Sequence, residues 1–301
     1  MNPAADEVTH VEVGGRRLRL TNLQKVLYPA TGTTKAEVID YLVRVSGPLL
    51  AQLHERPVTR IRWPHGVGDP QRFFEKNVPA GTPSWVRTVR VAASDGFIEY
   101  PLVEDVATLA WLGNLSALEL HTPQWTVGRR GAVRHPDRLV VDLDPGEGAG
   151  LEQCAAVAHL VAERLADDGL EAVPVTSGGK GLQLYAPLAA TDAADAVRGY
   201  AERLARGLAR DHKDLVTATM TKSLRRGKVL LDWSQNTAAK TTITPYSLRG
   251  RDRPTVAAPR RWDEIGPGLR QLTYDEVLDR LATEGDLMEP YSRSHPGPQL
   301  P

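Results

Sequence analysis

The sequence is poor in the features that mark secreted and membrane-spanning proteins. Of its 301 residues only Cys154 is a cysteine, so an intramolecular disulfide is excluded and a reducing compartment is expected. No apolar run of about 18 residues is present, and the N-terminus lacks the pattern of a signal peptide. We therefore expect a soluble cytoplasmic protein, with Cys154 a buried structural thiol in a helix.

Net charge is also lacking, because 37 Lys and Arg balance 37 Asp and Glu. The overall charge therefore does not indicate a binding partner, and a surface that binds nucleic acid would require Lys and Arg to cluster locally. One such cluster exists. Residues 222–261 hold ten Lys or Arg and only two acids, Asp232 and Asp252.

Phenylalanine is scarce as well, yet two of the three in the chain are adjacent, Phe73 and Phe74. They lie in residues 56–76, where basic side chains such as Arg62 alternate with aromatic rings. Surfaces that bind single strands or DNA ends use charges for phosphates and rings for stacking on bases. The alternative is that one Phe belongs to the core and the other to its rim.

Residues 138–148 predict a short strand of aliphatic residues that Pro-Gly ends. Because side chains alternate along a strand, Asp142 and Asp144 project from the same face. Two neighbouring carboxylates repel each other, and a half-buried pair is costly unless a cation lies between them. Mg²⁺ and Mn²⁺ prefer such oxygen ligands. The alternative is an exposed strand end without a function.

Residues 173–185 predict two strands joined by a Ser/Gly/Lys turn. Its glycines let backbone N–H groups approach an anion, and Ser177 and Lys180 add a donor and a charge. The spacing differs from a Walker A loop and no helix follows, so a phosphate-binding turn and an ordinary hairpin loop both stay open. Residues 228–234 predict a strand with Asp232 at its centre, either a third metal ligand or a salt-bridge anchor.

These three segments together suit nucleotidyl transfer with two divalent metals. Three carboxylates would hold the metals, the turn would hold a triphosphate, and the basic and aromatic segments would hold a nucleic-acid end. A metal-dependent nuclease could use the same carboxylates. It needs no triphosphate turn, however, so the turn favours synthesis.

The rest of the chain predicts alternating strands and helices. A hairpin is expected over residues 11–20, and helices over residues 33–53, 150–168 and 191–212. Lys25 and Lys35 flank the start of the first helix, where free N–H groups favour an anion; taken alone, they read as solvated lysines. We expect one catalytic domain over residues 11–289, with flexible termini over 1–10 and 290–301.

The chain resembles the polymerase domain of bacterial DNA ligase D, in the archaeo-eukaryotic primase superfamily. The segments that carry the resemblance are V-D-L-D-P-G-E-G at 141–148, T-S-G-G-K-G-L at 176–182, V-L-L-D-W-S-Q-N at 229–236, T-I-T-P-Y-S-L-R-G-R at 242–251, T-N-L-Q-K-V-L-Y-P at 21–29 and F-F-E-K at 73–76. The resemblance runs from about residue 18 to about residue 288, and these segments are together highly specific. The resemblance implies an α/β fold with mixed sheets, the primase-polymerase catalytic fold.

The resemblance also implies roles for individual residues. The implied metal ligands and catalytic residues are Asp142, Asp144 and Asp232, with two Mn²⁺ or Mg²⁺ ions. The residues implied around the incoming rNTP or dNTP are His121, Ser177, Lys180, Gln183, Arg225, Gln235 and Arg249. Those implied at the 5′-phosphate of a gap or break are Asn22, Lys25 and Lys35, and those at the template are Arg62, Phe73 and Phe74.

As a function, the resemblance implies a repair polymerase that adds nucleotides to a 3′ end at gaps or double-strand breaks. It implies work with Ku and an ATP-dependent ligase at the bacterial nucleoid, without a membrane. No K-x-D-G motif of a ligase is present, so we expect a stand-alone paralogue or an excised domain. The rival from another class is an end-binding module without catalysis.

Two positions depart from the family pattern. Gln183 stands where relatives usually carry histidine; an amide can donate to a phosphate oxygen but cannot carry a positive charge. We expect a weaker hold on the triphosphate, so that Gln183→His lowers the nucleotide KM. Ile61 stands where relatives commonly carry a basic residue, so we expect fewer contacts with DNA at this position.

Overall fold

The computed structural model describes residues 7–94, 96–291 and 295–301. Its helices are α1 (Lys35–Arg44), α2 (Ser46–Leu53), α3 (Val106–Asn114), α4 (Leu151–Asp167), α5 (Ala194–Asp211) and α6 (Tyr274–Glu284). Its strands are β1 (Val8–Val13), β2 (Arg16–Thr21), β3 (Val26–Tyr28), β4 (Thr33–Thr34), β5 (Thr59–Arg62), β6 (Phe73–Glu75), β7 (Thr88–Ala93), β8 (Gly96–Pro101), β9 (Ala117–Thr122), β10 (Trp125–Val127), β11 (Val133–Pro136), β12 (Arg138–Pro145), β13 (Val173–Thr176), β14 (Leu182–Pro187), β15 (Val216–Thr217), β16 (Val229–Leu231), β17 (Thr242–Ile243), β18 (Thr255–Val256), β19 (Ala258–Pro259) and β20 (Leu272–Thr273). No helix within the described ranges is long and apolar enough to cross a membrane.

Two sheets form the centre of the fold, which is α/β with mixed sheets as predicted. The larger has the strand order β15-β16-β12-β14-β13-β19, with β15 and β16 parallel and its other pairs antiparallel. The smaller is antiparallel and has the order β17-β9-β5-β6. The predicted Asp142–Asp144 strand, β12, therefore lies between β16 and β14 in the larger sheet.

The two faces of β12 belong to different hydrophobic clusters. Leu139, Val141 and Leu143 pack with α4 and α5 in one cluster, in which Cys154 is fully buried as expected. Val140 belongs to a second cluster that joins both sheets with α1, α2, α3 and α6. Because side chains alternate, Asp142 and Asp144 project on the Val140 side, away from α4 and α5. The face predicted for the two carboxylates is thus confirmed.

Local signals placed several elements correctly. The hairpin of β1 and β2 turns at Gly14 and Gly15, whose φ angles of +56° and +73° are strained for other residues. Thr34 caps α1, and Glu37 completes the predicted capping box. The single helix predicted to residue 53 is wrong, since it divides into α1 and α2. Pro48 lies in the first turn of α2, where its missing N–H is tolerated; inside a continuous helix it would break the ladder.

The chain ends differ from expectation. Residues 8–10, which we expected in a loose leader, continue β1, with Val8 paired to Thr21. In the C-terminal segment 295–301, the Pro298 carbonyl accepts a 3.0 Å hydrogen bond from the Ala189 N–H, and Leu300 packs against the α4–α5 cluster. The Pro-rich composition that suggested a free tail does not prevent these contacts, because proline keeps its carbonyl acceptor. Residues 1–6 and 292–294 lie outside the described residues.

Candidate active site

Three carboxylates meet at the end of β12. Leu143 pairs with Leu231 of the antiparallel neighbour β16, so the residue after β16, Asp232, comes beside Asp142. Its N–H donates to the Asp142 carbonyl at 2.8 Å. One oxygen from each of Asp142, Asp144 and Asp232 lies within 4.8 Å of the others. The three predicted metal ligands are therefore brought together.

Asp232 does not occupy the centre of a strand, as the sequence had suggested. The strand ends at Leu231, and Asp232 instead caps a short 3₁₀ turn, Trp233–Asn236. Its Oδ1 accepts hydrogen bonds from the N–H and hydroxyl of Ser234 at 3.1 and 2.5 Å, and its Oδ2 accepts from Gln235 Nε2 at 2.8 Å. The Lys240 ammonium lies 3.9 Å away. These donors hold the carboxylate in one orientation.

The electrostatics of the cluster favour a bound cation. Burial raises the pKa of Asp142, and repulsion by the charges of Asp144 and Asp232 raises it further. The pKa of Asp144 is raised for the same two reasons, burial and the charge of Asp232. A divalent cation would remove both penalties, because it replaces repulsion between carboxylates with attraction. The donor set, three carboxylates within reach of one centre, fits a hard divalent metal.

Gln183 contacts a predicted metal ligand. It pairs with Asp142 across β14 and β12, and its Nε2 donates to Asp142 Oδ1 at 2.9 Å. Its Oε1 accepts from the Tyr185 hydroxyl at 2.9 Å. We had expected this amide to act on the triphosphate directly. In the structure both ends of the buried amide are engaged by the protein, so Gln183 supports a carboxylate.

A cavity of about 360 Å³ adjoins the carboxylates. Every residue that the resemblance placed at the nucleotide lines it, namely His121, Ser177, Lys180, Gln183, Arg225, Gln235 and Arg249. Arg251, which sequence reasoning left out, lines it too. Four of these lining side chains are cations, and Asp142 and Asp144 complete the wall. The cationic side chains would attract a polyanion, and the adjacent carboxylates would hold a metal ion beside it.

The Ser/Gly/Lys turn is fitted tightly against β12. Ser177 Oγ accepts 3.2 Å hydrogen bonds from the N–H groups of Gly179 and Gly181, which closes the turn. A Cβ at position 181 would lie 2.2 Å from the Leu143 carbonyl oxygen, so only glycine fits there. The exposed Lys180 is thereby carried to the edge of the carboxylate cluster.

Glu119 is a site residue that sequence reasoning missed. It shares a face of β9 with His121, and its Oε2 lies 2.8 Å from His121 Nε2. Its Oε1 accepts from the Gly250 N–H at 3.0 Å and lies 3.5 Å from Arg249 Nε. Burial raises the pKa of Glu119, but the His121 hydrogen bond and the Arg249 charge outweigh it and lower the pKa to about 2. The sequence signal that could have revealed Glu119 was its position two residues before His121, which places both side chains on the same face of a strand.

The predicted template residues lie on the edge strand β6 and its neighbour β5. Phe73 is 38% exposed and Phe74 59% exposed, so the alternative that one ring belongs to the core is wrong. Arg62 is paired with Phe73 across β5 and β6, and it donates to the Leu115 carbonyl at 2.8 Å and to Glu75 at 3.0 Å, which fixes its guanidinium. Ile61 packs against the main core cluster.

The predicted 5′-phosphate residues surround the start of α1 with unequal exposure. The Lys35 ammonium is buried and donates to the carbonyls of Thr21 and Asn114 at 2.8 and 3.0 Å. Asn22 adopts a left-handed φ of +53° and starts the turn that carries the half-buried Lys25.

The N–H groups that we expected to attract an anion are already used. Those of Lys35 and Ala36 donate to the carbonyls of Lys25 and Leu23, and that of Glu37 to the Thr34 hydroxyl. The reason is that the turn before α1 folds back onto the helix start and supplies acceptors itself. An anion here would depend on side chains.

Comparisons with known proteins find similar sequences and a similar fold. The family model of the LigD primase-polymerase domain matches residues 34–288. The multifunctional non-homologous end joining protein LigD of Mycolicibacterium smegmatis is 51% identical over 93% of this chain, and the bifunctional protein LigD of Bacillus subtilis is 34% identical over 93%. The chain spans 37% and 45% of the length of these two relatives.

A solved structure also matches. The polymerase domain from Mycobacterium tuberculosis ligase D, in complex with DNA, is 50% identical to this chain and superimposes with a TM-score of 0.87. The match covers 91% of this chain and 97% of that one.

Proposed function

Because the chain belongs to the LigD primase-polymerase domain family, as its sequence motifs had indicated, we propose that it is a DNA-directed nucleotidyltransferase. It adds rNTPs or dNTPs to a 3′ end at gaps or double-strand breaks. The observation that carries this proposal is the meeting of Asp232 with Asp142 and Asp144, which themselves line a cation-lined cavity of about 360 Å³.

The cavity would hold the incoming nucleotide. Lys180, Arg225 and Arg249 line it, and their charges oppose those of a triphosphate. Glu119 does not line the cavity itself, but its carboxylate contacts both His121 and Arg249 and so holds them in position. The nucleotide would therefore meet donors whose positions are set before it binds, which lowers the entropy lost on binding.

Asp142, Asp144 and Asp232 would hold two divalent cations, Mn²⁺ or Mg²⁺. Two such ions, when bound, supply activation of the primer 3′-hydroxyl and neutralisation of charge on the leaving pyrophosphate. The protein orients the carboxylates: Gln183 donates to Asp142, while Ser234 and Gln235 donate to Asp232. The remaining lone pairs of these carboxylates would bind the cations.

DNA would lie against the surfaces at α1 and β6. Lys25, on the turn before α1, would contact the 5′-phosphate of the downstream strand together with Asn22, and the buried Lys35 would support this turn from below. Phe73 and Phe74 would pack against the template, with Arg62 beside them. The related polymerase domain of known structure is in complex with DNA.

The names of the relatives suggest the cellular setting. They are non-homologous end joining proteins, so we propose that this chain acts at broken DNA in the cytoplasm, at the bacterial nucleoid, with Ku and an ATP-dependent DNA ligase. Its task in that setting would be to fill or extend the ends before they are sealed.

One experiment tests the proposal. The protein is incubated with a short gap that carries a 5′-phosphate, with Mn²⁺ and with either rNTPs or dNTPs. We expect the primer to lengthen, and we expect Asp232→Ala to abolish extension while sparing DNA binding. The matched control is Asp195→Ala on α5, whose side chain is 93% exposed. Extension by Asp232→Ala would remove the assignment.

The same gels separate two rival functions. A metal-dependent nuclease would shorten the labelled strand, and an end-binding module would bind the gap without changing it. The second rival was suggested by Gln183 in place of histidine. The intact carboxylate cluster and the hydrogen bond from Gln183 to Asp142 favour catalysis.

A further inference from the structure

Arg138 is a buried charge that the proposed chemistry leaves unused. It begins β12, the strand that carries Asp142, and projects on the same face four residues earlier. It is 5% exposed. Its Nε donates to Gln124 Oε1 at 2.7 Å, its Nη2 donates to Thr122 Oγ1 at 2.9 Å, and its guanidinium lies 5.3 Å from the centre of the Tyr185 ring.

Tyr185, whose ring lies against the Arg138 guanidinium, begins a chain of buried hydrogen bonds that ends at Asp142. Tyr185 donates to Gln183 Oε1 at 2.9 Å, and Gln183 Nε2 donates to Asp142 Oδ1 at 2.9 Å. Tyr185 and Gln183 are each at most 4% exposed.

Asp142 fixes the direction of this chain. An ionised carboxylate only accepts hydrogen bonds, so Gln183 turns its NH₂ to Asp142 and its Oε1 to Tyr185. The Tyr185 hydroxyl has one hydrogen, which it shares between Gln183 Oε1 and the Ile243 carbonyl, 2.9 and 2.8 Å away.

The last link determines which end of an amide meets a metal ligand. With Tyr185 donating to Oε1, Gln183 turns its NH₂ to Asp142. The opposite orientation would place Oε1 against Asp142 Oδ1, and the two acceptors would repel each other. That repulsion would push the carboxylate away from its position beside Asp144 and Asp232.

We propose that Tyr185, whose ring lies against the Arg138 guanidinium, is a positioning residue that holds the Gln183 amide so that one Asp142 oxygen is fixed and the other is left for a divalent cation. The inference rests on the proposed function, since it concerns the same metal site.

Tyr185→Phe tests the proposal, because it removes only the hydroxyl that holds Gln183. The measurement is Mn²⁺ binding by electron paramagnetic resonance, without DNA or nucleotide. We expect roughly tenfold weaker binding, the usual size of an effect on the residues that orient metal ligands. The matched control is Tyr200→Phe, which removes another buried hydroxyl, hydrogen bonded to Asp168 at 2.7 Å, and should leave Mn²⁺ binding unchanged.

The outcomes separate this inference from the proposed function. Wild-type affinity for Mn²⁺ in Tyr185→Phe would overturn the inference, as would an equal loss in Tyr200→Phe. Primer extension by the wild-type protein is scored separately on the gapped substrate. Its failure, with the Mn²⁺ differences present, would overturn the proposed function and leave the positioning role standing.

Discussion

The carboxylate of Glu119 accepts a 2.8 Å hydrogen bond from Nε2 of His121. The pKa of Glu119 is lowered to about 2, so the carboxylate is ionised at neutral pH and Nε2 of His121 must carry a hydrogen. The other Glu119 oxygen lies 3.5 Å from Arg249 Nε. One buried carboxylate thus sets the orientation of two side chains on the cavity wall.

This relationship predicts a pH-dependent contribution to stability. The pKa of Glu119 falls from 4.5 to about 2 on folding, so its ionisation stabilises the fold above pH 4.5 and the contribution is lost as the pH falls toward 2. The shift corresponds to at most about 3 kcal/mol. Urea denaturation measures the free energy of unfolding of the wild type and of Glu119→Gln from pH 7 to pH 3. The difference between the two proteins should become smaller below pH 4.5. A difference in the free energy of unfolding that is the same at every pH would contradict the low pKa assigned to Glu119.

Asp144→Asn should change stability in opposite directions with and without metal. In EDTA the variant should unfold at a higher temperature than the wild type, because one repelling charge is removed from the cluster that raises the pKa of Asp142. In Mn²⁺ the wild type should gain about 2.7 kcal/mol at a hundredfold excess over Kd, and the variant should gain little. Thermal unfolding in both buffers checks this. A variant that is less stable than the wild type in EDTA would count against the repulsion.

Lys25 and Lys35 should respond differently to removal of their charge. Lys25→Ala should reduce the preference for a gap with a 5′-phosphate over one with a 5′-hydroxyl, without changing the melting temperature. Lys35→Met should lower the melting temperature, because the ammonium that joins Thr21 to Asn114 is lost. Lys213→Ala, at an exposed position after α5, is the control that should change neither property. An unchanged preference in Lys25→Ala would reject its phosphate role.

Much of the site was readable from sequence because local rules determine it. Alternation along a strand placed Asp142 and Asp144 on one face, and the glycines at 178, 179 and 181 marked a tight turn. The meeting of that face with Asp232 could be inferred only from the family resemblance. It depends on the antiparallel pairing of β12 with β16, which sets Leu143 opposite Leu231 across 87 intervening residues and which no local pattern encodes.

What the sequence did not reveal are contacts between polar side chains that are distant in the chain. The hydrogen bonds from Arg138 to Gln124 and from Gln124 to Thr242 join distant parts of the chain, and each residue alone reads as an ordinary core or rim position. The same holds for Lys35, whose partners Thr21 and Asn114 come from a strand and a helix end. Burial of a polar group reports on tertiary structure, and only the folded chain reveals its partner.

Phe74→Ala should weaken binding to gapped DNA that has a single-stranded template, by about 1–3 kcal/mol if the exposed ring stacks on a base. The slope of log affinity against log salt should stay the same, because no phosphate contact is removed. Fluorescence anisotropy at several salt concentrations measures both quantities. A changed slope or an unchanged affinity would show that the ring does not stack on the template.

Gln183→His should lower the nucleotide KM, and the structure indicates how. A neutral imidazole at this position can donate to Asp142 from one nitrogen and accept from Tyr185 at the other, which preserves the chain of hydrogen bonds. A protonated imidazole adds a positive charge to the wall of the nucleotide cavity. Since histidine titrates near pH 6.5, the decrease in KM should be larger at about pH 6 than at about pH 8. Single-nucleotide addition at both values measures it, with Gln183→Leu as the variant that loses the donor to Asp142 and should bind Mn²⁺ less tightly. An equal KM for Gln183→His and the wild type at both values would show that charge at position 183 does not act on the triphosphate.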